Sequence, residues 1–128
     1  MKVTILGCET PAGIYYVEKF EHSEAIPKAA EEPLLDLTRN LLAADFKGRV
    51  FNEKKVRFEG KPGRDFVVQG KEPGVGTVTV RVRMYLSGKS IYAMLVASEP
   101  NKDVPKDAGR FLGSLAFGVA KAGATAKK

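Results

Sequence analysis

The chain has one cysteine, Cys8, and one histidine, His22, in 128 residues. A single cysteine excludes an internal disulfide framework and any cysteine-based metal cluster. A single histidine leaves no pair of imidazoles to hold a metal. No run of about twenty apolar residues exists, so no helical membrane span is expected. Ile5-Leu6-Gly7-Cys8 has the order of a lipoprotein cleavage box. Only seven residues precede Cys8, with Lys2 their sole charged side chain, which leaves no room for the apolar core of a signal peptide. The default expectation is cytoplasmic, or exported if a leader has been trimmed.

Phosphate-binding signatures fail on spacing. GKEPGVGT, from Gly70 to Thr77, has the glycine content of a nucleotide loop. A P-loop needs G-x-x-x-x-G-K-[ST]. With Gly70 as first glycine, Val75 and Gly76 fall where Gly and Lys are required. With Gly76 as second glycine, Lys71 and Thr77 fall where Gly and Lys are required. A dinucleotide fingerprint starting at Gly74 would need glycine at Thr79. Val78, Val80, Val82, Met84 and Leu86 then alternate with polar residues and Tyr85, so a strand follows and no helix N-terminus faces an anion. The loop reads as a hairpin connection.

What is present is enough for one domain. A chain of this length buries roughly two thirds of its unfolded surface. The formal net charge is +6, unevenly spread. Residues 1–46 carry four bases and eight acids, and residues 47–128 carry seventeen bases and seven acids. That asymmetry suits solubility first and an anionic or acidic partner second.

Periodicity predicts strands over Val3–Cys8, Ile14–Phe20, Lys54–Glu59, Arg64–Gln69, residues 77–86 and Ile91–Ser98. The last is expected to be covered on both faces. Between the second and third strands, Glu31-Glu32-Pro33 opens a helix, with Pro33 in its first turn. Its expected core stripe is Leu34, Leu37, Leu41 and Leu42, with Leu35 beside them. A final helix is expected with Asp103 as cap, Pro105 in its first turn, and Ala108, Phe111, Leu112 and Leu115 on its core face. Residues 1–118 then form one domain, and 119–128 a basic tail.

EKKVRFEGKPGRDFVV, TVTVRVRMYLSGKSIYAMLVA and DAGRFLGSLAF together resemble the PsbP-like superfamily over residues 50–117. That superfamily takes its name from an extrinsic photosystem II subunit and includes a Ran-GTPase-binding protein. The resemblance implies an α/β (α+β) fold: an antiparallel sheet of about six strands flanked by helices in an α/β/α sandwich. It implies no chemistry, and no functional residue is carried over from it.

Catalytic groupings are sparse. Cys8 and His22 are the one thiol–imidazole pair, and a small buried or edge cysteine beside a solvated histidine accounts for them. Glu31, Glu32, Asp36, Asp45, Asp103 and Asp107 suit helix starts, caps and solvated helix faces. The expectation is therefore no enzyme, no cofactor and no metal. The basic strand is the most suggestive feature. Arg81, Arg83 and Tyr85 share one strand face, and Arg57 and Arg64 belong to the preceding hairpin. Arginine forks and a tyrosine ring fit an anion or an acidic partner. Cross-strand pairing with Asp65, Glu53 or Glu59, or with the acidic first helix, is the competing reading.

The expected function is a non-enzymatic binding or accessory module acting on an unknown protein partner. The alternatives are a small-ligand carrier with a cavity between sheet and helix, and weak anion or nucleic-acid binding through the arginines. Nucleic acid is the less favoured partner, and a homo-oligomer through an exposed edge strand is open.

Overall fold

The computed structural model describes residues 1–11 and 13–112. Leu115, Gly113 and the 119–128 tail lie outside the described residues. Six strands form one antiparallel sheet: β1 (Lys2–Thr10), β2 (Gly13–Glu21), β3 (Gly48–Phe58), β4 (Lys61–Glu72), β5 (Gly76–Ser87) and β6 (Ser90–Ser98). Their spatial order is β1-β2-β6-β5-β4-β3. Strands β3 to β6 are a meander, and the β1–β2 hairpin joins it along β6. The alternation in β5 is the cause of its placement. Val80, Val82, Met84 and Leu86 are buried on one face, while Arg81, Arg83 and Tyr85 point to the other. The Gly70–Gly76 stretch is the β4–β5 hairpin, with Gly74 and Gly76 at positive φ, a conformation glycine adopts without a Cβ clash.

One long helix, α1 (Lys28–Asp45), lies against β3 and β4 on the face that carries Phe66, Val68, Val82 and Leu95. It starts three residues earlier than Glu31. Pro27, in extended conformation, precedes it, and Pro33 sits inside the helix rather than in its first turn. Its buried face is also rotated from the expected stripe. Leu35, Thr38 and Leu42 face the core, at i, i+3 and i+7. Thr38 is tolerated there because its hydroxyl donates to the Leu34 carbonyl at 2.9 Å. Leu37 and Leu41 are 52% and 42% exposed.

Gly70 sets the approach of the α1–β3 connection. A Cβ at Gly70 would meet the Phe46 carbonyl oxygen at 2.0 Å, so only glycine lets the end of the helix cross β4 so closely. Strand β3 accordingly begins at Gly48, six residues before the periodicity predicts.

The opposite face corrects the expected sandwich. Among the described residues its helical cover is the short segment 108–112, whose Ala108 and Leu112 pack with Met94 and Val96. Tyr15 anchors it: its hydroxyl donates to Asp107 at 2.8 Å, and its ring meets Phe111 edge-on at 4.8 Å. Asp103 lies in irregular chain before this segment. Elsewhere that face carries Lys19, Arg81 and Arg83, whose long aliphatic stems can cover apolar sheet surface in place of a helix. Over the described residues the fold is α+β, a six-stranded antiparallel sheet with one main helix and a short one, and not a helix-flanked sandwich.

Candidate functional site

The five residues singled out by the basic pattern do not converge. The β3–β4 register pairs Lys55 with Arg64 and Arg57 with Pro62. The β4–β5 register pairs Arg64 with Met84 and Asp65 with Arg83. Arg64 and Arg57 therefore stand on the α1 side of the sheet, and Arg81, Arg83 and Tyr85 on the other.

Arg64 is consumed internally. Its side chain is 4% exposed and donates to Asp36 at 2.6 Å, to Glu53 at 3.0 Å, and to Glu32. Arg39 closes the group with two 2.9 Å hydrogen bonds to Glu53, and Lys55 reaches Glu32 at 3.4 Å. Burial works against the guanidinium charge, but Asp36 and Glu32 outweigh it and raise its pKa. In return, the hydrogen bonds from Arg64 hold the Glu32 and Asp36 carboxyls below their ordinary range. Three cations meet three carboxylates, tying α1 to β3 and β4. Arg57 donates to the Gly60 carbonyl at 2.9 Å and so closes the β3–β4 hairpin.

On the other face, Asp65 is the hub. Arg83 Nε donates to it at 2.8 Å, and Arg81 stands 3.9 Å away. Tyr85 packs its ring against Phe58 at 5.8 Å, and burial is the main cause that raises its phenol pKa. Arg81 also lies against the start of the 108–112 segment, 3.4 Å from where a Cβ on Gly109 would be. Each arginine of the set thus already has an acceptor within the domain.

The exposed apolar groups lie elsewhere. Strand β1 is an outer edge of the sheet, and Lys2 through Glu9 are all exposed. Val3 and Ile5, 46% and 56% exposed, are on the α1 side, opposite Phe20 and Glu18. Leu6, 69% exposed, is on the other side, opposite Val17. Leu37, Leu41 and Asp45 form one i, i+4 row of α1, and Asp45 acts electrostatically on Glu18 of β2. Asp45, at the end of that row, also lies beside Ile14 and Tyr16 of β2 around the cavity at the end of α1. Exposed apolar side chains thus occur on the edge strand at Val3 and Ile5 and, separately, on α1 at Leu37 and Leu41. The sequence pattern ranked both leucines as core and did not single out β1. Its one signal is that Ile5 and Leu6 are adjacent, so a strand carries apolar groups on both faces without alternation.

Glu18, opposite Ile5 in the β1–β2 pair, is buried. Burial, and then the charge of Asp45, push its carboxyl pKa up. A raised acid pKa means that ionisation is harder in the folded state. Stability from this group is fully present below the unfolded pKa, about 4.3, and is lost as pH rises from there through the folded value. Glu18→Gln is expected to raise Tm at about pH 7 and to leave it unchanged near pH 3, below both pKa values. Equal Tm gains at both pH values would show that charge is not the cause.

Three further features bear on chemistry. An open cavity of about 290 Å³ lies where α1 ends against the β4–β5 hairpin, lined by Ile14, Tyr16, Phe46, Val75 and Val78, with Lys47 and Lys71 among its polar groups. Cys8 pairs with Tyr15, while His22 follows the far end of β2, so the thiol and the imidazole stand at opposite ends of the hairpin. Among the described residues no cluster of His, Cys, Asp or Glu is arranged to hold a metal, and no helix is long and apolar enough to cross a membrane.

Among the described residues these features define a six-stranded antiparallel α+β fold with one exposed apolar edge strand. No family model matches the chain, the PsbP-like superfamily included, and no curated protein matches it. Among solved structures the fold is similar to that of PA94 from Pseudomonas aeruginosa, described as a protein of unknown function and provisionally as a regulator. The two superpose with a TM-score of 0.54 at 11% identity, over 92% of this chain and 79% of that one. At that identity the likeness shows the fold alone.

Proposed function

We propose that this domain is a non-enzymatic binding module that engages a protein through the exposed edge strand β1. The observation that carries this reading is the sheet edge itself. A strand that is outermost among the described residues, with exposed Val3, Ile5 and Leu6, is a template for strand addition. The arginines support the reading indirectly, since Asp65, Glu32, Asp36 and Glu53 already engage three of them. The affinity experiment compares the whole chain with Ile5→Lys and with Arg81→Ala/Arg83→Ala, at low and high salt. A partner retained at high salt and lost from Ile5→Lys is the expected result. A partner held only at low salt and lost from the arginine variant would move the site to the other face.

A second reading, a small-ligand carrier, rests on the cavity between α1 and the β4–β5 hairpin. Its volume of about 290 Å³ lies at the small end for ligand sites. An apolar dye that raises Tm, and fails to do so in Val78→Glu, would favour it.

A further inference from the structure

We infer that the occupant of the β1 edge is the β1 edge of a second copy, paired antiparallel about a two-fold axis, so that two six-stranded sheets become one. This rests on the reading of β1 as the binding edge and names its partner.

The two edges of the sheet are built differently. The outer strand β3 carries Arg49, Lys54, Lys55 and Arg57, its register with β4 shifts between Phe51 and Lys54, and Asn52 has φ 53°. Basic side chains and a bulge are the devices that stop a strand edge from accepting another strand. Strand β1 has none of these in its middle. Its register with β2 is unbroken from Lys2 to Thr10, and its only charged side chains are Lys2 and Glu9, near its two ends. Among the described residues, one edge is guarded and the other is left open.

The charges choose the partner. Antiparallel pairing of β1 with itself brings Lys2 of each copy toward Glu9 of the other, with Val3 to Cys8 uncharged between them. Parallel pairing would set Lys2 beside Lys2 and Glu9 beside Glu9, and like charges across a ladder are unfavourable. The apolar groups match as well. A two-fold axis perpendicular to the sheet keeps each face continuous, so Val3 and Ile5 meet their counterparts on the α1 side, and Leu6 meets its counterpart on the other.

The same symmetry fixes the register closely. Residues directly opposite each other in a ladder share a face. Under this two-fold axis the numbers of opposed residues must therefore sum to an even value. Bringing Lys2 nearest to Glu9 then leaves two centres, Ile5 opposite Ile5 or Leu6 opposite Leu6. In either register Cys8 falls opposite Lys2 or Thr4, so the two thiols are about 14–20 Å apart along the strands at ~3.4 Å per residue.

Sedimentation equilibrium of the whole chain over a concentration series tests the association. The expected result is a mass twice 13.9 kDa, reduced to the monomer in Ile5→Lys/Leu6→Lys. Both side chains are exposed, so the melting of the dissociated variant monitors its fold independently. Mild oxidation is expected to cross-link either Ile5→Cys or Leu6→Cys in a Cys8→Ser background, and not the native chain. A native chain that remains monomeric at every concentration, or a dimer that survives Ile5→Lys/Leu6→Lys, overturns the inference. A monomer that still loses a different protein partner in Ile5→Lys would leave the binding-edge reading standing and remove only the second copy. A β1-linked dimer whose partner binding ignores Ile5→Lys would do the reverse.

Discussion

Replacing Arg64 with alanine is expected to destabilise the domain by roughly 2–4 kcal/mol, measured by denaturant unfolding near pH 7. Breaking a buried ion pair by removing one partner usually costs about 3–5 kcal/mol. Here Glu32 and Asp36 are nearly half exposed and would recover part of their hydration, which lowers the range. Arg39 and Lys55 remain beside the three carboxylates but do not replace the guanidinium buried between α1 and β4. The pH dependence separates the charge contribution from simple loss of packing. Glu32 and Asp36 have depressed pKa values in the folded state. Their contribution is present above the unfolded value of about 4 and is lost as pH falls through the folded values. The gap between the native chain and Arg64→Ala is therefore expected to be widest near neutrality and to narrow below about pH 4. A gap that stays constant with pH would assign Arg64 to packing alone.

Phe66→Ala is expected to cost about 3–5 kcal/mol, the largest effect of any single truncation in the sheet. Phe66 is the largest of the fully buried side chains and lies on the α1 face of β4, opposite Val82. Strands β3 and β5 hold β4 on both sides, so the backbone cannot close over the space left behind. Leu37→Ala is the control. The sequence pattern ranks Leu37 with the core, but it stands half exposed, and a change of about 0.5 kcal/mol or less is expected. Denaturant midpoints of the two variants at equal slope would decide the matter. Comparable losses would mean that Leu37 is buried in solution.

Much of the architecture was legible because strand periodicity is a local property. Polar and apolar residues alternate without a break in β5, and the short turns at Gly60, Pro73–Val75 and Gly88 join successive antiparallel strands. Val80, Val82 and Met84 were legible as core for the same reason. The candidate site was far less legible. Alternation shows that Arg81 and Arg83 share a face. It does not show that Arg64 is on the other, because the relation between strands depends on a register set by the whole ladder. The first half of β3 was missed because Gly48–Phe51 has no alternating pattern, and Gly48 and Gly70 matter only once the end of α1 presses against β4.

By itself, then, the sequence determined six strands and a leucine-rich helix between the second and the third. It also settled that GKEPGVGT is a hairpin, since its spacing admits neither phosphate motif. Only the tertiary structure decided which strands end the sheet, which of the leucines face water, and where each arginine spends its charge. The reason is physical. Periods of 2 and 3.6 residues specify which side chains lie together on one element. The rotation of the helix, the order of the strands and the exposure of an edge arise from packing between elements distant in sequence. Val3, Ile5 and Leu6 look like core residues in a line of text, and become a surface because, among the described residues, β1 is the last strand of the sheet.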